Sequence, residues 1–150
     1  MTLIIAQENP LTEQARALIE GSEAALRAVY TVDECFTFTP EELDRSNIQF
    51  FVARIEGEPL GCVALCACDD YVEIKRLFVT PNARGSGVAR ELIHHIETQA
   101  LVAGHKIVRL ETGQKLAAGV ALYKNLGYHE RGPFGDYPNH PASLFMEKTL

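Results

Sequence analysis

Val79-Thr80-Pro81-Asn82-Ala83-Arg84-Gly85-Ser86-Gly87-Val88-Ala89 is the stretch on which the reading of this 150-residue chain turns. An apolar run, Tyr71–Val79, leads into it. Beyond it Ala89, Leu92, Ile93, Ile96, Ala100 and Ala103 recur at helical spacing, while Arg90, Glu91, His94 and Glu97 take the other side. The segment therefore joins a strand to an amphipathic helix, with its glycines where the helix begins. The first N–H groups of a helix lack intrahelical acceptors and lie at the positive end of its dipole, so the amides of 85–89 are expected to gather around an anion. Glycine at 85 and 87 lets backbone approach a diphosphate, and Arg84 adds a cation. A plain strand-to-helix turn is the competing reading of any Gly-x-Gly pair. Two nucleotide loops do not fit: the Gly-x-x-x-x-Gly-Lys of a Walker A loop is absent, and position 90, where a Rossmann fingerprint carries its third glycine, is Arg.

Working upstream, Leu60–Cys68 and Phe50–Ile55 are apolar runs separated by the turns Asp69-Asp70 and Glu56-Gly57-Glu58-Pro59, which predicts a three-stranded antiparallel meander. Leu3–Ala6 reads as a strand. Leu11, Ala15, Leu18 and Ile19 give a helix opened by Pro10, with Gly21 expected to divide it from a second helix through Leu26, Val29 and Tyr30. Thr39-Pro40-Glu41-Glu42 looks like a capped first turn. Downstream, Gly104 ends the long helix, and a strand (Lys106–Thr112), a helix (Lys115–Leu126, closed by Gly127) and strands near Tyr128–Arg131 and Ser143–Lys148 complete the chain. This order predicts an α+β fold, a mixed and largely antiparallel central sheet flanked by helices, in one domain over 1–150 with one parallel crossover.

Composition narrows the function classes. With 47% hydrophobic residues, 11 Gly and 7 Pro, the chain has material for a core and no fibrous or disordered bias. Its longest apolar runs fall far short of the roughly 20 residues of a membrane span, and the N-terminus lacks the form of a signal peptide, so a cytoplasmic protein without a membrane partner is expected. Twenty acidic against 14 basic side chains leave a formal charge of −6, which argues against nucleic acid and for cationic acceptors. Cys62, Cys66 and Cys68 share strand parity and read as buried inert thiols. Adjacent side chains such as His94 and His95 diverge by about 100° on a helix, so the pair is expected on a solvated face rather than on a metal.

Arg84-Gly85-Ser86-Gly87-Val88-Ala89 resembles the Arg/Gln-x-x-Gly-x-Gly/Ala acetyl-CoA motif of the GCN5-related N-acetyltransferase (GNAT) superfamily. Ala121-Leu122-Tyr123-Lys124-Asn125-Leu126-Gly127-Tyr128 is similar to its "ALYxxxGF" segment, with Tyr for the final Phe. One departure stands out: seven residues before Tyr123, where many members carry Asn, this chain has Leu116. The resemblance implies an acyl-CoA N-acyltransferase fold with acetyl-CoA as cosubstrate and no metal. It implies that Arg84, Gly85, Ser86, Gly87, Val88 and Ala89 hold the pyrophosphate, and that the backbone of Leu77, Phe78 and Val79 bonds the pantetheine arm as an added strand would.

The same resemblance assigns Tyr123 as the acid that protonates the coenzyme A sulfur and Glu73 as the base for the acceptor ammonium; a core tyrosine and an ion-paired strand carboxylate are the structural alternatives. Glu111 is a minor acceptor-pocket candidate. Gly132–Pro141 is a proline-stiffened loop in which Phe134, Asp136 and Tyr137 are expected to shape the acceptor site, unless the loop is a structural lid. The implied activity is acetyl transfer to a small amine or amino-acid-like acceptor. A non-catalytic acyl-CoA sensor and a peptide or protein N-acetyltransferase stay open as alternatives, as do the acyl length and a homodimer.

Overall fold

The computed structural model describes residues 2–150. Seven strands form one sheet: β1 (Leu3–Gln7), β2 (Ile48–Ile55), β3 (Glu58–Ala67), β4 (Val72–Val79), β5 (Ile107–Gly113), β6 (His129–Arg131) and β7 (Ser143–Thr149), in the spatial order β1-β2-β3-β4-β5-β7-β6. Every neighbouring pair is antiparallel except β4 and β5, which the crossover helix α3 (Val88–Val102) connects in parallel. The meander closes at Glu56 and Gly57, both at positive φ (51° and 82°), as a two-residue hairpin turn requires.

Helices cover both faces. On one side α1 (Glu13–Arg27) and the single turn α2 (Pro40–Leu43) bury Leu18, Ile19 and Leu43 against Phe50, Val52, Cys62 and Cys66. On the other, α3 and α4 (Ala117–Asn125) bury Leu92, Ile93, Ile96 and Tyr123 against Val63, Ile74, Leu110 and Met146. Cys68 packs at the edge of the α1 core, so the three cysteines share the face that their parity predicts. Burial pushes the Cys62 thiol up to about 12, which keeps it protonated.

Two expectations need correction. Gly21 does not divide the first helix: α1 runs unbroken from the Thr12 cap to Arg27. A Cβ at Gly21 would lie 2.9 Å from the Phe78 ring, so the glycine lets α1 settle onto β4. His95 is not wholly on a solvated face. Its ring meets Phe51 edge-on at 4.8 Å, and burial lowers its pKa.

Candidate functional site

β4 and β5 stay together for three residue pairs, Val72↔Val108, Glu73↔Arg109 and Ile74↔Leu110, and then part. Past that point β4 continues to Val79 with only β3 beside it. The separation coincides with a bulge. Phe78 faces Cys62 and Lys75 faces Ala64, so Val63 alone opposes both Arg76 and Leu77, and Arg76 takes φ 55°, an unusual value for a non-glycine residue. Its side chain holds the bulge from outside: the guanidinium, 4% exposed, donates to Phe38 C=O (3.0 Å), Ser22 Oγ (3.3 Å) and Glu23 Oε2 (2.5 Å).

The bulge inverts the strand's alternation. Glu73, Lys75 and Phe78 lie toward α1, while Ile74, Leu77 and Val79 pack on the α3 side. Thr80 N–H donates to Leu60 C=O at 2.8 Å, so by alternation Phe78 also turns its amide to β3. Leu77 and Val79 therefore carry the open edge, and the expectation of three such residues narrows to two. In this conformation Arg84 Nε donates to Val79 C=O at 3.1 Å.

At the far end of β4 the loop turns twice through left-handed glycines, Gly85 at φ 80° and Gly87 at φ 88°. Among the described residues, the first amide of the following helix with a backbone acceptor is that of Glu91, on Gly87 C=O (3.1 Å). Among the described residues the N–H groups from Gly85 to Arg90 have no protein partner, and Ser86 Oγ donates to Ala83 C=O. Gly85, Gly87, Val88, Ala89 and Arg90, but not Ser86, line a cleft of about 700 Å³ bounded by Leu77 and Val79 on one side and by Leu116, Gly119 and Leu122 on the other. Arg90 Nη2 donates to Asn125 Oδ1 at 2.9 Å and ties the start of α3 to the end of α4. Six unpaired amides at a helix start fit a pyrophosphate, and an open strand edge fits an amide-bearing arm.

A second, smaller cavity of about 120 Å³ lies on the α1 side of the parting strands and shares Ser22, Leu26, Leu77 and Leu116 with the cleft. Tyr123 reaches it from α4. Among the described residues its hydroxyl has no hydrogen-bond partner, although no buried side-chain polar atom is left unsatisfied, so the oxygen looks into the cavity. Burial raises its pKa above the ordinary 10, which keeps the phenol protonated at neutral pH. Glu111 lines the same cavity as the first β5 residue beyond the separation. It accepts from Ser143 Oγ at 2.7 Å, and burial lifts its carboxyl to about 7 despite that hydrogen bond and the nearby Lys75.

Glu73 is placed differently. It is buried, 5% exposed, accepts from Tyr137 OH and lies 3.1 Å from Lys75 Nζ, but does not line the cavity. Lys75 also donates to Tyr137 OH (2.7 Å) and sits 4.0 Å from the Phe38 ring centroid. Of the three loop candidates, Tyr137 reaches the cavity, Phe134 is buried against Tyr71, Tyr137 and Phe145, and Asp136 stays on the exposed surface. The sequence reading missed the segment 30–38, whose Tyr30, Cys35, Phe36 and Phe38 wall the cavity. The Phe36-x-Phe38 alternation outside any strand is the signal that could have pointed to it.

Comparison with known proteins agrees with this architecture. The profile of the Acetyltransferase (GNAT) family matches residues 15–128, a span that contains the loop, the parting strands and Tyr123. The chain belongs to the GNAT acetyltransferase family. The IAA acetyltransferase of Azospirillum brasilense is 40% identical to this GNAT chain over 148 residues, covering 97% of each. Human N-acetylaspartate synthetase is 33% identical over 103 residues, 67% of this chain and 34% of its own length. Among solved structures, an acyl-CoA N-acyltransferase from Klebsiella pneumoniae superposes with TM-score 0.84 at 28% identity, covering 99% of this chain and 98% of that one. The PaiA N-acetyltransferase of Thermoplasma acidophilum, solved with coenzyme A, shares the fold at TM-score 0.76 and 16% identity, each chain covered in full.

Proposed function

We propose that this GNAT-family protein transfers the acetyl group of acetyl-CoA directly to the amine of a small molecule. The observation that carries the proposal is the junction of two clefts: an anion-ready, strand-edged cleft meets a half-open cavity where the splayed β4 and β5 leave room for Tyr123 and Glu111. In this reading the Gly85–Arg90 amides and Arg84 hold the pyrophosphate, and the open amides of Leu77 and Val79 align the pantetheine arm. When bound, the cosubstrate supplies a thioester carbon open to attack by an amine.

The chain's own residues then manage two protons. An ammonium must lose its proton before it can attack, and a carboxyl titrating near 7 is matched to that step at neutral pH, which favours Glu111 over the ion-paired Glu73. The Tyr123 phenol, protonated and unpaired, donates its proton toward the departing sulfur. Leu116 leaves no side-chain amide at the start of α4, so cofactor contacts there are apolar or through the main chain.

Thiol release measured over a panel of primary amines with acetyl-CoA tests the reading. Turnover is expected, with an acidic limb in kcat/KM near pH 7. Tight coenzyme A binding without release of thiol for any amine would instead make the protein an acyl-CoA sensor.

A further inference from the structure

We infer that the cavity walled by Tyr30, Phe36, Phe38 and Tyr137 selects a singly charged amine with a compact apolar body and rejects the amino acid of the same body. The inference rests on the amine-acetylating reading above and deepens it by naming the acceptor class. Its basis is the state of each charged side chain that lines the cavity. Arg76 is matched by Glu23, and its donors also engage Ser22 and Phe38. Lys75 is matched by Glu73, donates to Tyr137 OH and covers the Phe38 ring with its ammonium. Glu34, at the solvent side, caps its own turn by accepting from the N–H and hydroxyl of Thr31.

Neither Glu34 nor Glu111 has an ion-pair partner among the described residues, but Glu34 is open to solvent and Glu111 is the buried one. Ser143 donates to its Oε2, and among the described residues nothing donates to Oε1. An ammonium entering the cavity thus finds a carboxylate oxygen without a competitor. A carboxylate entering with it finds two cations that already have counterions, and its lost hydration goes uncompensated. The matched pairs thereby act against zwitterions, a discrimination that a cavity with a free arginine would reverse.

Size and lining set the rest of the acceptor. A volume of about 120 Å³ compares with the roughly 150 Å³ of an apolar protein cavity that admits benzene. Leu26, Leu77 and Leu116 add apolar wall to the four aromatic rings. At about a fifth less volume, a phenyl ring is the largest body this half-open cavity would take, with its ammonium toward Glu111 and the ring faces.

Equilibrium binding to the coenzyme A-loaded protein tests this without needing turnover. Three probes share one body: 2-phenylethylamine, phenylalanine and 3-phenylpropionate. At pH 8 the amine is expected to bind at least tenfold more tightly than phenylalanine, and 3-phenylpropionate to bind weakest. Glu111→Gln should abolish that preference while leaving coenzyme A binding as in the wild type, and the wild-type amine affinity should fall between pH 8 and pH 6. Phenylalanine binding as tightly as the amine, or no binding of any probe, would overturn the inference. If the amine binds as expected but no thiol is released, the catalytic reading fails and the cavity assignment stands.

Discussion

Replacing Glu111 by glutamine removes one titrating group and almost no volume, so its effect on stability can be worked from the site. The carboxyl has an ordinary value of 4.5 and titrates near 7 in the fold, because burial penalises its charge more than Ser143 and Lys75 stabilise it. Between those two values the folded state holds a proton that the unfolded chain releases, so stability falls as pH rises through this window. Its contribution is fully present below pH 4.5 and is gone above pH 7. At about 1.4 kcal/mol per pH unit over that interval, the loss is on the order of 3 kcal/mol. The substituted amide cannot ionise and can still accept from Ser143, so the Glu111→Gln variant escapes the loss.

Urea unfolding followed by far-UV circular dichroism at pH 5 and pH 8 measures the difference directly, since the chain has no tryptophan. At pH 5, only about half a pH unit into that window, the variant should lead by less than about 1 kcal/mol. At pH 8 Glu111→Gln should be the more stable by about 3 kcal/mol, roughly 6–12 °C in melting temperature for a domain of this size. Cys35 and Tyr137, whose values the Glu111 charge raises, stay protonated over this range, and the remaining groups cancel. A variant no more stable than the wild type at pH 8 would show that the Glu111 carboxyl ionises normally and would remove the physical basis for its role as a base.

Tyr123→Phe keeps the ring in the core and deletes the unpaired hydroxyl; kcat should fall about 100-fold with coenzyme A affinity little changed, and an unchanged kcat would make Tyr123 a packing residue only. Gly87→Val meets open space but must hold φ near 88°, so an apo cost of about 1–2 kcal/mol is expected together with loss of the coenzyme A thermal shift, which in the wild type should reach about 2.7 kcal/mol at a hundred times the dissociation constant. Glu73→Gln leaves the Lys75 ammonium buried without its counterion, and denaturant unfolding should show a loss of about 3 kcal/mol; a loss below about 1 kcal/mol would mean that the pair is well hydrated.

The local elements, and the backbone geometry of one loop, were legible from residue order alone. Strand, Gly-rich turn and amphipathic helix around 79–103 are written in periodicities of two and 3.6 and in glycines whose positive φ the structure requires. The two motifs 37 residues apart by their lead positions, Arg84 and Ala121, lie on elements that face one another across the cleft, because helix starts and strand edges carry the same backbone groups in any sequence context. What alternation along the chain misjudges is β4. Counting by twos puts Leu77 and Val79 on the face of Glu73, and only the bulge at Arg76, held by Glu23 and Ser22 from a helix some fifty residues away, turns them to the other side.

The same limit applies to the acid–base assignment. The sequence put Glu73 forward as the base and Glu111 only as a minor acceptor-pocket candidate, although the two carboxylates are chemically alike. Partners distant along the chain separate them: Lys75 and Tyr137 enclose the first, while the parting of β4 from β5 leaves the second facing a cavity. Phe134 and Asp136 went the same way, because a loop's aromatic and acidic residues share a stretch of chain without sharing an environment, and burial claimed one and solvent the other. Periodicity and local backbone needs are properties of short windows and survive in one dimension. Counterions, desolvation and the register of a bulge depend on atoms brought together by folding, and in this protein they decide which side chains line the cavity.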